Sequence, residues 1–194
     1  MRRTFYVTMT SAAAVLTVVL LIGGALLFVG HTFASGTVTS QLSAQKIFFP
    51  PAGEATADPA IGPYINRYAG QQLTTGPQAK AYADHFIAVH LKGINDGKTY
   101  SETSTEARAN PEDAALEGKV QSLFRGETLR GLLLTAYAFY TVGQIAFIGS
   151  IVAWVLGAIM LLVTVISVRH LRHVAPKQRA AEAVSNGTRI PVAA

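Results

Sequence analysis

The chain contains no cysteine, and only 14% of its 194 residues are charged. The first absence removes disulfide frameworks, thiolate zinc sites, iron–sulfur clusters and cysteine nucleophiles. The second excludes an ordinary soluble protein. Soluble domains are about a quarter charged, so a chain that is 50% hydrophobic with a mean hydropathy of +0.33 belongs partly in lipid. Charge is also absent locally: neither Thr4 to Gln45 nor Gly131 to Val168 holds a single Asp, Glu, Lys or Arg.

Crossing about 30 Å of hydrocarbon takes about 20 apolar residues. Ala12 to Val29, interrupted only by Thr17, Gly23 and Gly24, supplies a first transmembrane helix. The second uncharged window is nearly twice what one span requires at roughly 1.5 Å per residue. The crossing is therefore expected at Gln144 to Val168, with Tyr137, Tyr140 and Thr141 as an interfacial belt. A cleaved signal peptide competes for the first span, because Arg2 and Arg3 precede the apolar run and, with Phe5, echo a twin-arginine export signal. The run is longer than a usual signal core, which favours a retained anchor.

Outside the spans the two ends carry Arg2, Arg3, Arg169, Arg172, Lys177, Arg179 and Arg189 against Glu182 alone. The segment from Lys46 to Arg130 has nine basic and ten acidic residues and is close to neutral. The positive-inside rule then places both termini in the cytoplasm and the central segment outside, in the plasma membrane. The same split explains a pI near 9.6 without nucleic acid. The expected organisation is a cytoplasmic N-terminus and first transmembrane helix over 1–34, and an extracytoplasmic helical domain over 35–130. A long helix containing the second span follows over 131–168, then a basic cytoplasmic tail over 169–194, polar and mobile beyond Pro176. The fold class is all-α.

Within the central segment, Ser35 to Lys46 continues the helical phase of the first span, with Val38, Leu42 and Gln45 on one side. Phe48-Phe49-Pro50-Pro51 is expected to stop that helix, since proline cannot continue the ladder and restricts its predecessor. The irregular stretch to Pro63 would lay its aromatics against the lipid surface. A short helix is expected around Tyr64 to Tyr68. Thr74-Thr75-Gly76-Pro77 then signals a helix start. From Pro77 to about Ile94, Ala79, Tyr82, Ala83, Phe86, Ile87, His90 and Ile94 form an apolar face, closed by the turn Asn95-Asp96-Gly97. Ser101 is expected to cap a helix through Ala109, and Asn110-Pro111-Glu112-Asp113 to start a long helix that runs into the second span.

Candidate chemistry is sparse. His85 and His90, with Asp84 beside the first, are five apart and so diverge by about 140° on a helix, whereas metal ligands on one face need three or four. Their phase puts His90 in the apolar face and His85 toward solvent. His170 and His173 have the right spacing but sit among Arg169 and Arg172, where cations disfavour a metal. His31 and His170 lie at opposite ends of the two spans and cannot share a haem. Glu102, Glu106, Glu112 and Asp113 lack the spacing of a calcium loop. They read as solvated faces and caps. No nucleophile elbow or phosphate-binding glycine loop is present in the sequence, and no acidic or basic residue lies at the centre of either span. No cofactor, metal or catalytic residue is expected.

One feature of the second span stands out. Gly149, Ala153 and Gly157 repeat every four residues, with Ala146 and Ser150 beside them, a flat ridge that lets another helix approach closely. The first span offers Ala13, Thr17 and Gly24 as a counterpart, and a membrane partner is the other possible occupant. Trp154 and Gln144 would then face lipid and interface.

Gln45-Lys46-Ile47-Phe48-Phe49-Pro50-Pro51, Tyr68 to Leu73, Gln78 to Leu91, Asp96 to Tyr100 and Leu123 to Gly131 resemble a group of small actinobacterial two-span membrane proteins. The resemblance covers most of the central segment and the start of the second span. It implies the architecture above and a Gram-positive envelope setting, and transfers no catalytic residue. Some similar proteins carry an aromatic-ring-opening dioxygenase label, which the absence of evident iron ligands in this sequence does not support.

Two functions remain open. One is a non-enzymatic accessory or assembly subunit of a larger membrane or envelope complex, partnered by an integral membrane protein and the lipid bilayer. The other is a membrane-anchored sensor that binds a lipid or small molecule, with Tyr64, Tyr68, Tyr82, Phe86 and His90 as possible lining. An enzyme working through His85, Asp84 or Glu127 is the least favoured.

Overall fold

A computed structural model describes residues 2–53 and 56–187. Every element in them is helical, apart from one isolated antiparallel bridge between Phe48 and Gln72. The order is α1 (Arg2–Ala44), α2 (Gly62–Ile65) running into a 3-10 turn (Asn66–Tyr68), and α3 (Gly76–Ala81). A π-helical segment (Tyr82–Ile87) leads into α4 (Ala88–Lys92), and a 3-10 turn (Asn95–Gly97) precedes α5 (Tyr100–Ala109) and α6 (Ala114–Gly187). The all-α class holds, and α1 and α6 are both long and apolar enough to be candidate membrane spans. Contacts divide the chain into two compact units, residues 1–29 with 147–194, and residues 30–146.

In the first unit α1 and α6 pack antiparallel. Tyr6 lies against His170, and Phe28 against Trp154 with ring centroids 5.5 Å apart. Most large apolar side chains of both helices point away from this seam: Val15, Val18, Val19 and Ile22 on α1, and Ile151, Val152, Val155 and Ile159 on α6, are all exposed. A helix that buries only a narrow stripe and displays its aliphatic residues is suited to hydrocarbon rather than water.

In the second unit α1 does continue past the apolar run, as its phase predicts, and Val38 and Leu42 enter the core. Its end differs from expectation. The helix stops at Ala44, before the prolines, because Lys46 takes a left-handed conformation (φ 52°) and Gln72 Nε2 donates to the Ser43 carbonyl, satisfying one of the orphan acceptors of the last turn. The freed chain pairs with 71–73: Leu73 N–H donates to Ile47 O at 2.8 Å and Phe49 N–H to Gln71 O at 2.9 Å. This pairing turns Phe49 inward, to 1% exposure, so of the two aromatics expected on lipid only Phe48 is exposed.

Thr75 caps α3 as its sequence suggests, in a reciprocal box in which Gln78 N–H donates to Thr75 Oγ1 and Thr75 N–H donates to Gln78 Oε1. The following face is rephased. In the π segment the Ala88 N–H reaches the Ala83 carbonyl, five residues back, so the turn holds an extra residue. Ala79, Ala83, Ile87 and Leu91 therefore stay aligned at a strict spacing of four and all are buried, while His90 rotates out to solvent.

Two cap assignments also shift. Thr99, not Ser101, caps α5, with Glu102 completing the box. Asn110 ends α5, donating its Nδ2 to Glu106 O, and α6 begins after Asp113, whose Oδ1 accepts from Leu116 N–H. From there α6 is one helix to Gly187, passing Gly118, Gly126, Gly131 and Pro176. The helix thus runs on past Pro176 into the tail expected to be polar and mobile, and 188–194 lie outside the described residues.

Candidate functional site

The small-residue ridge of α6 meets α1 of the same chain. A Cβ on Gly157 would lie 3.0 Å from Leu21 Cδ2, and one on Gly149 would lie 3.3 Å from Leu27 Cδ1. Ser150 is fully buried and donates its hydroxyl to Phe147 O, the satisfaction a hydroxyl needs away from water. Ala153 is half-buried between them. On α1, Thr17 is buried with its hydroxyl on Ala13 O, and Gly24 lies beneath the Trp154 indole. Trp154 is therefore a packing residue that also keeps an exposed edge. Ala146, half-buried, belongs to the other unit. There Gly143 continues the same kind of contact, a Cβ on it falling 3.2 Å from Ala34 Cβ, and its carbonyl accepts a hydrogen bond from His31 Nδ1 at 2.9 Å.

The aromatic set of the outer segment converges on Phe49. Tyr68 and Tyr82 pack on its ring at 5.1 and 5.3 Å, Phe86 packs on Tyr82 at 4.8 Å, and His90 caps Phe86 at 4.4 Å while donating Nδ1–H to Phe86 O. Burial holds the Tyr82 phenol above its ordinary pKa. Tyr64 stands apart, stacked face to face on His85 at 3.5 Å. His85 is consequently half-buried rather than solvated.

Charged groups form two small networks. Lys80 pairs with Asp84, which raises the Lys80 pKa chiefly by hydrogen bonding, and Arg130 reaches Asp84 at 3.7 Å and Glu127 at 3.4 Å. At the other, buried Asn95 donates to Thr103 Oγ1 at 3.2 Å and Glu106 Oε2 at 3.0 Å, and accepts from Lys119 at 3.1 Å. Lys98 also donates to Glu106, and this bond and that from Asn95 lower the Glu106 pKa. The Thr99 backbone and hydroxyl lower that of Glu102. Asn95, at φ 48°, and Asp96, at φ 56°, hold the left-handed turn that aims this amide inward. Sequence reading names the turn but misses its buried amide, since nothing in Asn-Asp-Gly says which side chain points in.

Among the described residues no group of three His, Asp or Glu side chains converges to hold a metal. His85 and His90 are separated as their spacing requires, each engaged with an aromatic ring. What the geometry builds is packing: a closed helix hairpin and an aromatic core. No family model, no curated protein and no solved structure matches the chain.

Proposed function

We propose that the chain is a two-span plasma-membrane protein with both ends in the cytoplasm and residues 35–130 outside, serving as a non-enzymatic accessory or assembly subunit of a larger membrane or envelope complex. The observation that supports this most is the construction of α6, one continuous helix from the cap at Asp113 through the uncharged stretch of 131–168. Such a helix links residues 35–130 to the second apolar stretch in one unbroken run of chain, which suits a subunit that presents an outer domain from a membrane anchor. The charge pattern of the two ends supports the orientation.

The sensor reading is weaker because its lining set is spent on internal contacts: Tyr68 and Tyr82 pack on a Phe49 side chain that is already buried, and Phe86 packs on Tyr82. A Gram-positive envelope setting, suggested by the actinobacterial resemblance, is part of the same proposal. Purification of a tagged chain at native expression in mild detergent tests it. An integral membrane protein should co-purify in fixed ratio; recovery of the chain with only lipid or a small molecule would contradict the accessory role.

A further inference from the structure

Where the end of α4 and the Asn95–Gly97 turn meet α6, the second unit holds an open cleft of about 460 Å³. One wall is the chain from Gly93 to Asp96, and the other is a face of α6 that carries Ala115, Gly118 and Lys119. A Cβ on Gly118 would meet nothing within 4 Å. The cleft holds one charge of each sign. Asn95 is 8% exposed, and its amide nitrogen donates to Thr103 Oγ1 and Glu106 Oε2. Its Oδ1 accepts from Lys119 Nζ at 3.1 Å, so a buried group fixes the ammonium at the cleft wall and leaves it further N–H donors. Asp96 is set by left-handed backbone (φ 56°), which Asp tolerates better than most residues. Among the described residues its carboxylate takes no hydrogen bond or ion pair. Lys98 and Glu106, the other charges at this corner, pair with each other at 2.8 Å and do not line the cleft. Lys119 and Asp96 thus share one cleft without pairing with each other.

We propose that this cleft binds a small zwitterion, an α-amino acid with an uncharged side chain, whose carboxylate meets Lys119 Nζ and whose ammonium meets the Asp96 carboxylate. One cation and one anion match a molecule that carries one of each. A simple anion would also face Asp96, and a simple cation would face Lys119, so each meets a repulsion that the zwitterion turns into an ion pair. The rest of the lining selects the side chain. Ile94, Ala115 and the two glycines carry no charge, and the Ser122 hydroxyl is taken up by Gly118 O, so a small apolar group fits there. The volume is in the range of small-molecule sites. An ammonium already fixed by a buried amide loses less freedom on binding than an unrestrained lysine would. The cleft is distinct from the aromatic set around Phe49, and its chemistry depends neither on the orientation of the chain in the membrane nor on the accessory role.

Equilibrium dialysis of labelled L-valine against the full-length chain in detergent micelles tests the site. Saturable binding of one molecule per chain is expected. The analogues 3-methylbutanoate and 2-methylpropylamine each lack one of the two charges, and should compete about tenfold less well or worse. Asp96→Asn removes the anion and keeps a residue that accepts the left-handed turn. Gly118→Leu fills open space and improves helix propensity. Both variants should keep the thermal midpoint of the wild type and weaken L-valine binding by about tenfold or more. Absence of saturable binding up to about 10 mM L-valine, or equal binding by the wild type and both variants, would overturn the inference. So would either analogue competing as well as L-valine itself, since a single charge would then be enough.

Discussion

The indole of Trp154 covers Gly24 so closely that a Cβ there would fall 2.5 Å from Trp154 Cδ1. Glycine is required at 24 by this approach and not by backbone conformation, which is helical. Gly24→Ala should destabilise the hairpin by about 1–3 kcal/mol, the usual cost of overpacking. The neighbouring Gly23→Ala, with nothing within 4 Å of the new Cβ, should not. Trp154 is the only tryptophan in the chain, so its emission in detergent reports both outcomes directly.

Ala153 tests the same seam from α6. Ala153→Leu adds bulk between Gly149 and Gly157, both already in contact with α1 leucines, and should lower the thermal midpoint of the hairpin without preventing insertion. Val155→Leu, at an exposed position, should leave the midpoint unchanged. Equal midpoints for the two variants would remove the ridge from the account.

The rephased helix yields a contrast that its sequence period reverses. Leu91→Ala should cost about 2–5 kcal/mol as a core truncation, while His90→Ala should stay within about 0.5 kcal/mol as a surface change. Denaturant unfolding of the full chain in detergent decides between them. A larger loss at His90 would mean that the π segment is not formed.

This reversal shows where sequence reading stops. The two apolar helices, the extension of α1, the Thr75 cap and the turn at Asn95 follow from short-range rules: absence of charge, period 3.6, and capping chemistry. Leu91 and His90 exchange places because one extra residue per turn between Tyr82 and Ile87 shifts every later position by about 100°. Phe49 is misread for a related reason, since its burial depends on pairing with Gly70 and Gln71, more than twenty residues away. The α5 and α6 caps are missed because Ser101 and Asn110 are as competent chemically as Thr99 and Asp113, and only the chain path selects between them. Of the ridge residues, Gly149 lies against Leu27 and Gly157 against Leu21. The ridge's occupant, α1 of the same chain, was one of two alternatives that spacing cannot rank.

Acid should loosen the corner around α5. The pKa values of Glu102 and Glu106 are lowered in the folded protein, so their contribution is complete above the unfolded carboxylate value of about 4.3 and is lost as pH falls through the lowered folded values. Hydrogen exchange over Tyr100–Ala109 should accelerate below about pH 4 beyond the intrinsic pH trend. Glu102→Gln with Glu106→Gln should flatten that dependence. Unchanged protection in the wild type down to pH 2 would show that neither carboxylate supports the helix.

An accessory subunit of this topology has residues 35–130 facing outward, and one label tests that. Ser101 is exposed at the start of α5, away from both apolar helices in sequence, and the chain offers no competing thiol. An impermeant maleimide applied to intact cells should modify Ser101→Cys fully and Thr4→Cys only after permeabilisation. Modification of Thr4→Cys in intact cells, with Ser101→Cys reached only after the membrane is opened, would contradict it.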